Sequence, residues 1–184
     1  METERELLDA IHRGDHQALR RLYDRFSAYV MAINLRYIHD REDVRDVMQD
    51  CFIKIFKNIN DFEYRGEGSL KGWVSRVVMN QAIDWVTTHE KMHLVIERPT
   101  ELPEPIDVEP PDIEKVPPDV LNGMIGRLPA GFRLVLNLYV FENLSHREIA
   151  QRLGIKEMSS ASQFSRAKML LKKMIDDYLK SQGI

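Results

Sequence analysis

Seven of the eight prolines of this 184-residue chain fall between residues 99 and 118. Proline has no backbone N–H and a fixed φ angle, so a segment this rich in proline forms neither a regular helix nor an internal strand. Residues 96–118 also contain 7 acidic and 2 basic residues. We therefore expect a flexible acidic linker at 96–118 that joins two domains, residues 1–95 and residues 119–184.

Both flanking parts have the periodicity of helices. Apolar residues recur at intervals of three and four, and no useful stretch alternates apolar and polar residues with a period of two. Gly14, Asp15 and Asp40 separate three predicted helices, and a fourth is expected from about Ser69 to about Lys91. The expected fold class is all-α, with two small helical domains joined by the acidic, Pro-rich linker.

The second part contains the pattern of a helix-turn-helix between residues 144 and 173. Ser145 and Glu148 have the spacing of a capping box, and Gly154 suits the left-handed residue that ends a helix. The next helix has an expected inward face of Ser160, Phe164, Ala167 and Leu171. Its opposite face has small, polar or basic side chains and no carboxylate: Ser159, Ala161, Ser162, Gln163, Ser165 and Arg166. Such side chains suit a DNA major groove, although an ordinary helical hairpin remains the alternative.

The charge distribution supports the DNA-binding interpretation. Residues 119–184 contain 10 basic and 6 acidic residues, whereas residues 1–95 contain 14 basic and 16 acidic residues. The basic part is thus the part with the helix-turn-helix, as phosphate binding requires. No apolar run is long enough for a membrane span, and the single cysteine, Cys51, excludes an intramolecular disulfide. Both observations fit a cytoplasmic protein.

Three surfaces of the first part are candidates for binding. On the third helix, Asp46 shares a face with Gln49 and Asp50, and this acidic patch could contact a basic partner helix or simply face solvent. The loop of residues 60–68 offers two aromatic rings and a cation for stacking of unpaired bases: Phe62, Tyr64 and Arg65. Phe62 could instead pack against the domain. The fourth helix has three polar side chains, at spacings of five and four, that we expect to project together: Lys71, Arg76 and Asn80.

The whole chain resembles the extracytoplasmic-function (ECF) group of bacterial RNA polymerase sigma factors. Asp43–Phe62 is similar to the group's core-polymerase-binding helix, and Ser69–Asp84 to its promoter-melting and minus-ten-recognition helix. Leu128–Ile155, followed by Ser162–Lys168, is similar to its minus-thirty-five-binding domain. The three motifs occur in the family's order across nearly the full length. The chain departs from the family at the start of the recognition helix, where Lys156 replaces a common capping serine and Met158 a usual glycine.

The resemblance implies a function for each candidate surface. Contacts to the clamp helices of the largest polymerase subunit would come from Asp46, Gln49, Asp50 and Lys54. The minus-ten element, with a flipped base in the loop, would contact Phe62, Tyr64, Arg65, Lys71, Arg76 and Asn80. The minus-thirty-five element would contact Arg147, Ser159, Ser162, Gln163, Ser165, Arg166 and Lys168.

The resemblance also implies the partners. These are core RNA polymerase, on whose flap the second domain would dock, promoter DNA, and an anti-sigma factor, which in this family is often membrane-bound. The acidic linker would run through the active-site channel, where its carboxylates mimic nucleic acid. No cofactor, metal or catalytic residue is expected.

The residues themselves leave other classes of function open. A repressor or activator would share the helix-turn-helix, and a purely protein-binding adaptor would share the helical fold. An enzyme would need a nucleophile–base pair, a metal cluster or a phosphate loop. His89 and His93 are four residues apart but lack the pattern of a zinc-binding helix, which favours surface histidines.

Overall fold

The computed structural model describes residues 2–90 and 113–183, and its regular secondary structure in these two ranges is entirely helical. The α-helices in these ranges are α1 Glu4–His12, α2 His16–Tyr37, α3 Arg41–Asn58, α4 Ser69–His89, α5 Pro118–Gly126, α6 Ala130–Val140, α7 His146–Leu153 and α8 Glu157–Ser181. Short 3₁₀ turns occur at Ile59–Asp61 and Ile113–Lys115. The all-α prediction is confirmed.

Side-chain caps determine where α2 and α3 begin. The carboxylate of Asp15 accepts a hydrogen bond from the N–H of Gln17 at 2.9 Å. The carboxylate of Asp40 accepts hydrogen bonds from the N–H groups of Glu42 and Asp43 at 2.7 and 3.3 Å. The first N–H groups of a helix have no partner within the helix, and such a cap stabilises the helix by about 1 kcal/mol. The two helices therefore begin where the sequence predicts.

The chain forms two compact units, Met1–Trp85 and Val86–Ile184. The predicted boundary at residue 95 and residues 96–112 of the predicted linker lie outside the described residues. In the first unit, α2 packs on both α1 and α3. Its core consists of fully buried apolar side chains, among them Leu7, Leu22, Val30, Val44, Ile55, Leu70 and Val74. Burial of each such side chain stabilises the unit by about 1.5–3 kcal/mol.

The second unit is built around α8, which packs on α5, α6 and α7. One apolar cluster joins α5 and α6 to the middle of α8, through Ile125, Leu128, Phe132, Leu136 and Ala167. A second cluster contains Val116, Met124 and Ile175. These two clusters hold the middle and the C-terminal part of α8, which is the longest helix described. The first turns of α8 extend toward α7.

Gly154 ends α7 in the left-handed conformation, with φ of +67°. A Cβ atom at this position would meet no atom within 4 Å. A larger residue is therefore disfavoured by the left-handed backbone conformation and not by a steric clash with neighbouring atoms. We expect Gly154→Ala to lower the free energy of unfolding by about 1 kcal/mol, measured by urea unfolding followed by circular dichroism. Gly123→Ala, inside α5 and equally open, is the matched control and should be neutral or stabilising. Equal effects of the two substitutions would contradict the assignment of strain to Gly154.

Candidate polymerase and DNA interfaces

The predicted polymerase patch lies on the exposed side of α3. Its four residues are all exposed, namely Asp46, Gln49, Asp50 and Lys54. The opposite side of the helix is buried, through Val44, Val47, Cys51 and Ile55. One patch residue also contacts α4, because the carboxylate of Asp50 accepts a long hydrogen bond of 3.5 Å from the amide of Gln81. The structure thus places the four side chains together on a surface that a partner can reach.

Ile53 lies within the same exposed surface and was missed in the sequence. It is 49% exposed, one helical turn after Gln49. A large apolar side chain surrounded by polar groups is typical of the centre of a protein interface. The sequence does contain a sign of this exposure, because Ile53 falls outside the apolar stripe of α3 that Val44, Val47, Cys51 and Ile55 form.

Cys51 lies on the buried side of α3, and burial raises the pKa of its thiol to about 11. The thiolate is the reactive form, so the folded protein should react slowly with iodoacetamide at about pH 8. We expect little labelling of the native protein and complete labelling in concentrated urea, measured by mass spectrometry. Rapid labelling of the native protein would contradict the burial of this side chain.

The loop between α3 and α4 presents its candidate residues unequally. The ring of Phe62 packs against Trp73, with centroids 5.3 Å apart, so the packing alternative for Phe62 is the one observed. Tyr64 is half-buried, and this burial raises the pKa of its hydroxyl, with a further contribution from the carboxylates of Glu67 and Glu4. Arg65 is exposed and forms only a solvent-accessible ion pair with Glu63 at 3.2 Å. Arg65 is therefore the most accessible of the three candidates for contact with DNA, while Phe62 and Tyr64 are both half-buried.

Two glycines and one serine determine the backbone of this loop. Gly66 and Gly68 have φ angles of +121° and +89°, which other residues rarely adopt. The hydroxyl of Ser69 donates to the carbonyl of Gly66 at 2.5 Å and accepts from the N–H of Arg65 at 3.2 Å. The loop is thus held by hydrogen bonds to the first residue of α4.

On α4, the structure separates the three predicted minus-ten contacts. Arg76 and Asn80 are exposed and lie about one turn apart on the same side of the helix. Lys71 is also exposed, but its ammonium group lies over the ring of Tyr29, 4.9 Å from the centroid. Lys71 and Asn80 are separated by about two and a half turns, which directs them to opposite sides. The prediction that all three project together is therefore wrong for Lys71.

The helix-turn-helix consists of α7, a turn at Gly154, and α8. The predicted capping box is present: the carboxylate of Glu148 accepts from the N–H of Ser145 at 2.8 Å, and the hydroxyl of Ser145 accepts from the N–H of Glu148 at 3.3 Å. The hydrogen bonds from Ser145 lower the pKa of the Glu148 carboxyl. By contrast, α8 begins after Lys156 without any side-chain cap.

Most predicted minus-thirty-five contacts are accessible, but Gln163 is not. Arg147, Ser162 and Lys168 are exposed, and Ser159, Ser165 and Arg166 are half-buried. Gln163 is only 5% exposed. Its side-chain oxygen lies so close to Gly131 of α6 that a Cβ atom added to this glycine would be 2.9 Å from the oxygen. The prediction that Gln163 contacts a base edge is wrong for this conformation. The signal in the sequence is its spacing, three residues after Ser160 and four before Ala167, which places it on the buried face.

Met158 is exposed where the sequence departs from the family pattern. It is 85% exposed in the first turn of α8, and lies four and seven residues before Ser162 and Ser165. These three residues therefore form one row along the helix. An apolar side chain at this place could contact a thymine methyl group in a major groove.

An aromatic cluster fixes the first turns of α8 against α7. Tyr139 stacks on His146 with centroids 4.7 Å apart and packs on Phe164 at 4.3 Å. The Nδ1 atom of His146 also lies 3.0 Å from the hydroxyl of Ser160, within hydrogen-bond distance. The inward orientation predicted for Ser160 and Phe164 is observed. The row of Met158, Ser162 and the half-buried Ser165 is thereby held on the other side.

The electrostatics of α8 suit a polyanion. Between Met158 and Ile175 the helix contains four basic residues and no acidic residue. Across the described ranges, no group of three or more His, Cys, Asp or Glu side chains could hold a metal ion. None of the helices in these ranges has both the length and the apolar character that a bilayer span requires.

Comparison with known proteins identifies both parts of the chain. The family model for Sigma-70 region 2 matches residues 22–92, and the model for Sigma-70, region 4 matches residues 119–171. The RNA polymerase sigma-H factor of Pseudomonas aeruginosa is 25% identical, over 97% of both chains. The ECF RNA polymerase sigma-E factor of Haemophilus influenzae is 26% identical, over 94% of this chain and 95% of its own.

A solved structure has a similar fold, that of CnrH in complex with the cytosolic domain of CnrY. It has a TM-score of 0.51 and 20% identity, and the match covers 95% of this chain and 97% of the other. The two region models together span more than half of this chain, and the ECF relatives align with nearly its full length. The chain therefore belongs to the ECF group of the sigma-70 family of bacterial RNA polymerase sigma factors.

Proposed function

We propose that this protein is a sigma factor that binds core RNA polymerase and directs promoter-specific transcription initiation, recognising and melting promoter DNA. The observation that carries this function is the presence of both sigma regions, in the family's order, on two helical units. The sigma-70 family consists of non-catalytic initiation factors, and we infer that this chain likewise has no catalytic centre or cofactor of its own.

Polymerase binding is assigned to the exposed surface of α3. Asp46 and Asp50 supply negative charge, Gln49 supplies an amide, and Ile53 supplies an apolar centre. This combination suits a basic partner helix, because charge complementarity guides the encounter while burial of the apolar side chain contributes affinity. The partner surface is the clamp-helix region of the largest polymerase subunit.

Promoter melting is assigned to the loop of residues 60–68 and to one side of α4. A flipped base needs a pocket or stacking surface, which Tyr64 and Arg65 offer. The melted strand also needs contacts to its backbone, which Arg76 offers, and to its base edges, which the amide of Asn80 offers on the same side of the helix. Phe62 has a supporting role in this proposal, because its ring packs on Trp73.

Recognition of the minus-thirty-five element is assigned to α8. Its row of Met158, Ser162 and Ser165 would face base edges, while Arg166, Lys168 and Arg147 would bind phosphates. The second domain would also dock on the polymerase flap. Phosphate contacts position the helix, and contacts to base edges provide the specificity.

We also place the protein in the cytoplasm, where its polymerase and DNA partners are, and propose an anti-sigma factor as its inhibitor. The structure of CnrH was solved with the cytosolic domain of CnrY, so a second protein binds this related fold. Such a partner would cover the surfaces on α3 or α8 that polymerase and DNA require.

The function is tested by transcription with purified components. We expect core polymerase from the same bacterium, mixed with this protein and fragmented genomic DNA, to produce transcripts with discrete start sites. Core polymerase alone should produce none of these starts. Absence of any new start site, together with no binding to core polymerase, would refute the proposal and favour an independent DNA-binding regulator or an adaptor.

The assignment of α8 predicts different results for two substitutions. Arg166→Ala should weaken binding of the holoenzyme to promoter DNA and reduce the slope of log affinity against log salt by about one, because one phosphate contact is lost. Gln163→Leu is the matched control on the buried side of the same helix. It should leave base preference unchanged, measured on promoters with single substitutions in the upstream element. A loss of discrimination by about 1–3 kcal/mol at one base pair would instead show that Gln163 contacts DNA.

A further inference from the structure

Glu4, in α1, is the only buried carboxylate among the described residues, with 2% of its surface exposed. Its two oxygen atoms accept three backbone hydrogen bonds from a segment more than sixty residues away in the chain. Oε2 accepts from the N–H groups of Gly68 and Leu70 at 2.9 and 3.0 Å, and Oε1 accepts from Lys71 at 3.1 Å.

These hydrogen bonds complete the N-terminus of α4. The first N–H groups of a helix have no partner within it, and they form the positive end of the helix dipole. The remaining N–H in this segment, that of Ser69, donates to the carbonyl of Gly66 at 3.1 Å. Every N–H from Gly68 to Lys71 is therefore bonded. A negative charge from a different helix lies at the end of α4 where it is most stabilising.

A second set of contacts links the same two segments. The N–H of Glu4 donates to the carboxylate of Glu67 at 3.3 Å. Arg25 of α2 contacts that carboxylate at 3.5 Å and donates to the carbonyl of Glu2 at 3.0 Å. On the same face of α1 as Glu4, three buried apolar side chains anchor the helix in the core, Leu7, Leu8 and Ile11.

The segment held by Glu4 joins the two parts of the proposed melting surface. Gly68 ends the loop that would capture a flipped base, and Leu70 and Lys71 belong to the first turn of the helix with Arg76 and Asn80. The family match to region 2 begins at residue 22, so α1 precedes the matched residues. A helix outside the matched region thus determines the geometry of a functional loop within it.

We propose that Glu4 is a positioning residue for promoter melting, which holds the end of the loop and the start of α4 in the conformation that captures a base. This inference rests on the proposed base capture by residues 60–68. A loop that is already ordered captures a base without the additional entropic cost of ordering it. Loss of the Glu4 hydrogen bonds should therefore impair melting more than it impairs binding of duplex DNA.

The chemistry requires glutamate at this position. Aspartate is shorter by one methylene and could not reach all three donors from the same backbone position. In glutamine, one of the two oxygens becomes an NH₂ group, which would face an N–H donor and cannot accept its hydrogen bond. Glu4→Gln thus removes at least one hydrogen bond and the charge with almost no change in volume. Glu4→Ala removes all three hydrogen bonds.

The test uses full-length Glu4→Gln and Glu4→Ala proteins in holoenzyme, on a promoter that the wild-type protein transcribes. The control is Asp9→Ala, which removes an exposed carboxylate from the same helix. We expect both Glu4 variants to retain core binding and closed complexes, measured by gel shift. Open complexes, measured by permanganate reactivity of unpaired thymines, should fall about tenfold or more in Glu4→Ala and less in Glu4→Gln. Asp9→Ala should behave as wild type.

Hydrogen exchange gives a second measurement that does not depend on activity. The amides of Gly68, Leu70 and Lys71 should exchange faster in both Glu4 variants, and amides of α2 should not change. If core binding is lost in both variants, Glu4 is required for the fold, and the proposal of a positioning role is wrong. Normal melting by both variants, with wild-type exchange, also overturns it.

A further variant separates this inference from the function on which it rests. Tyr64→Ala removes an aromatic ring from the loop itself. If Tyr64→Ala, Arg65→Ala and their double variant all melt promoters normally, base capture by this loop fails, whatever the Glu4 variants do. If the loop variants are defective and the Glu4 variants are normal, base capture stands and only the role of Glu4 is refuted.

Discussion

Replacement of Asp46, Gln49 and Asp50 together by alanine is expected to abolish co-purification of the protein with core RNA polymerase. These three side chains are exposed on one side of α3, so their removal should leave helix content and melting temperature nearly unchanged. Exposed substitutions of this kind usually change stability by less than about 0.5 kcal/mol each. Affinity capture of core polymerase, with circular dichroism on the same samples, measures both effects.

A matched control has the same composition at other exposed positions. Replacement of Asp9, Gln17 and Asp24 by alanine removes the same two charges and one amide from α1 and α2. It should leave polymerase binding intact. Ile53→Ala should weaken binding on its own, because it removes the apolar centre of the surface. A large loss of stability in the triple variant, or equal loss of binding in the control, would mean that α3 does not bind polymerase.

The second large effect is expected for Asn80→Ala, in the formation of open complexes by the holoenzyme. A side-chain contact to a base edge contributes about 1–3 kcal/mol, which corresponds to a loss of about tenfold or more in a melting equilibrium. Closed complexes form on duplex DNA and should decrease less. Permanganate reactivity and a gel-shift assay, performed on the same promoter, separate the two effects.

Lys71→Ala provides the geometric control for this experiment. Lys71 is on the same helix but on the opposite side, over the ring of Tyr29, so its removal should impair melting less than the loss of Asn80. Arg76→Ala should resemble Asn80→Ala, because the two residues share one side of α4. Normal melting by both Arg76→Ala and Asn80→Ala would show that α4 serves only as a structural element.

The sequence predicts local features of this fold well, because their signals lie within a few residues. The caps at Asp15, Asp40 and Ser145 and the glycine at position 154 are all read from short spacings, and the structure contains each of them. The same signals, together with the periodicity of apolar residues, predict that these elements are helices and approximately where each begins and ends.

Side-chain orientation within the helices is predicted less well. The polar character of Gln163 suggests the exposed face, yet its spacing places it on the buried face, where Gly131 leaves room for it. The spacings of five and four suggest that Lys71, Arg76 and Asn80 project together, although the helical turn directs Lys71 and Asn80 apart. Ile53 is apolar and exposed, which composition alone does not reveal.

The Glu4 contact could not be predicted from local signals at all. Its donors, from Gly68 to Lys71, lie more than sixty residues along the chain, and nothing in the α1 sequence specifies which helix end its carboxylate reaches. An acidic residue in the first turn of a helix normally suggests an interaction with that same helix. Only tertiary packing brings it to the start of α4.

The near contact between Gly131 and Gln163 has a consequence for how these two positions change during evolution. A Cβ atom at position 131 would lie 2.9 Å from the Gln163 oxygen, which is the end of a flexible side chain, so this amide would have to turn away. Because Gln163 is only 5% exposed, a shorter residue at position 163 would relieve the contact more readily. A larger residue on α6 is therefore expected to appear in related genes together with a smaller residue at position 163, so that the packing of α6 on α8 is kept.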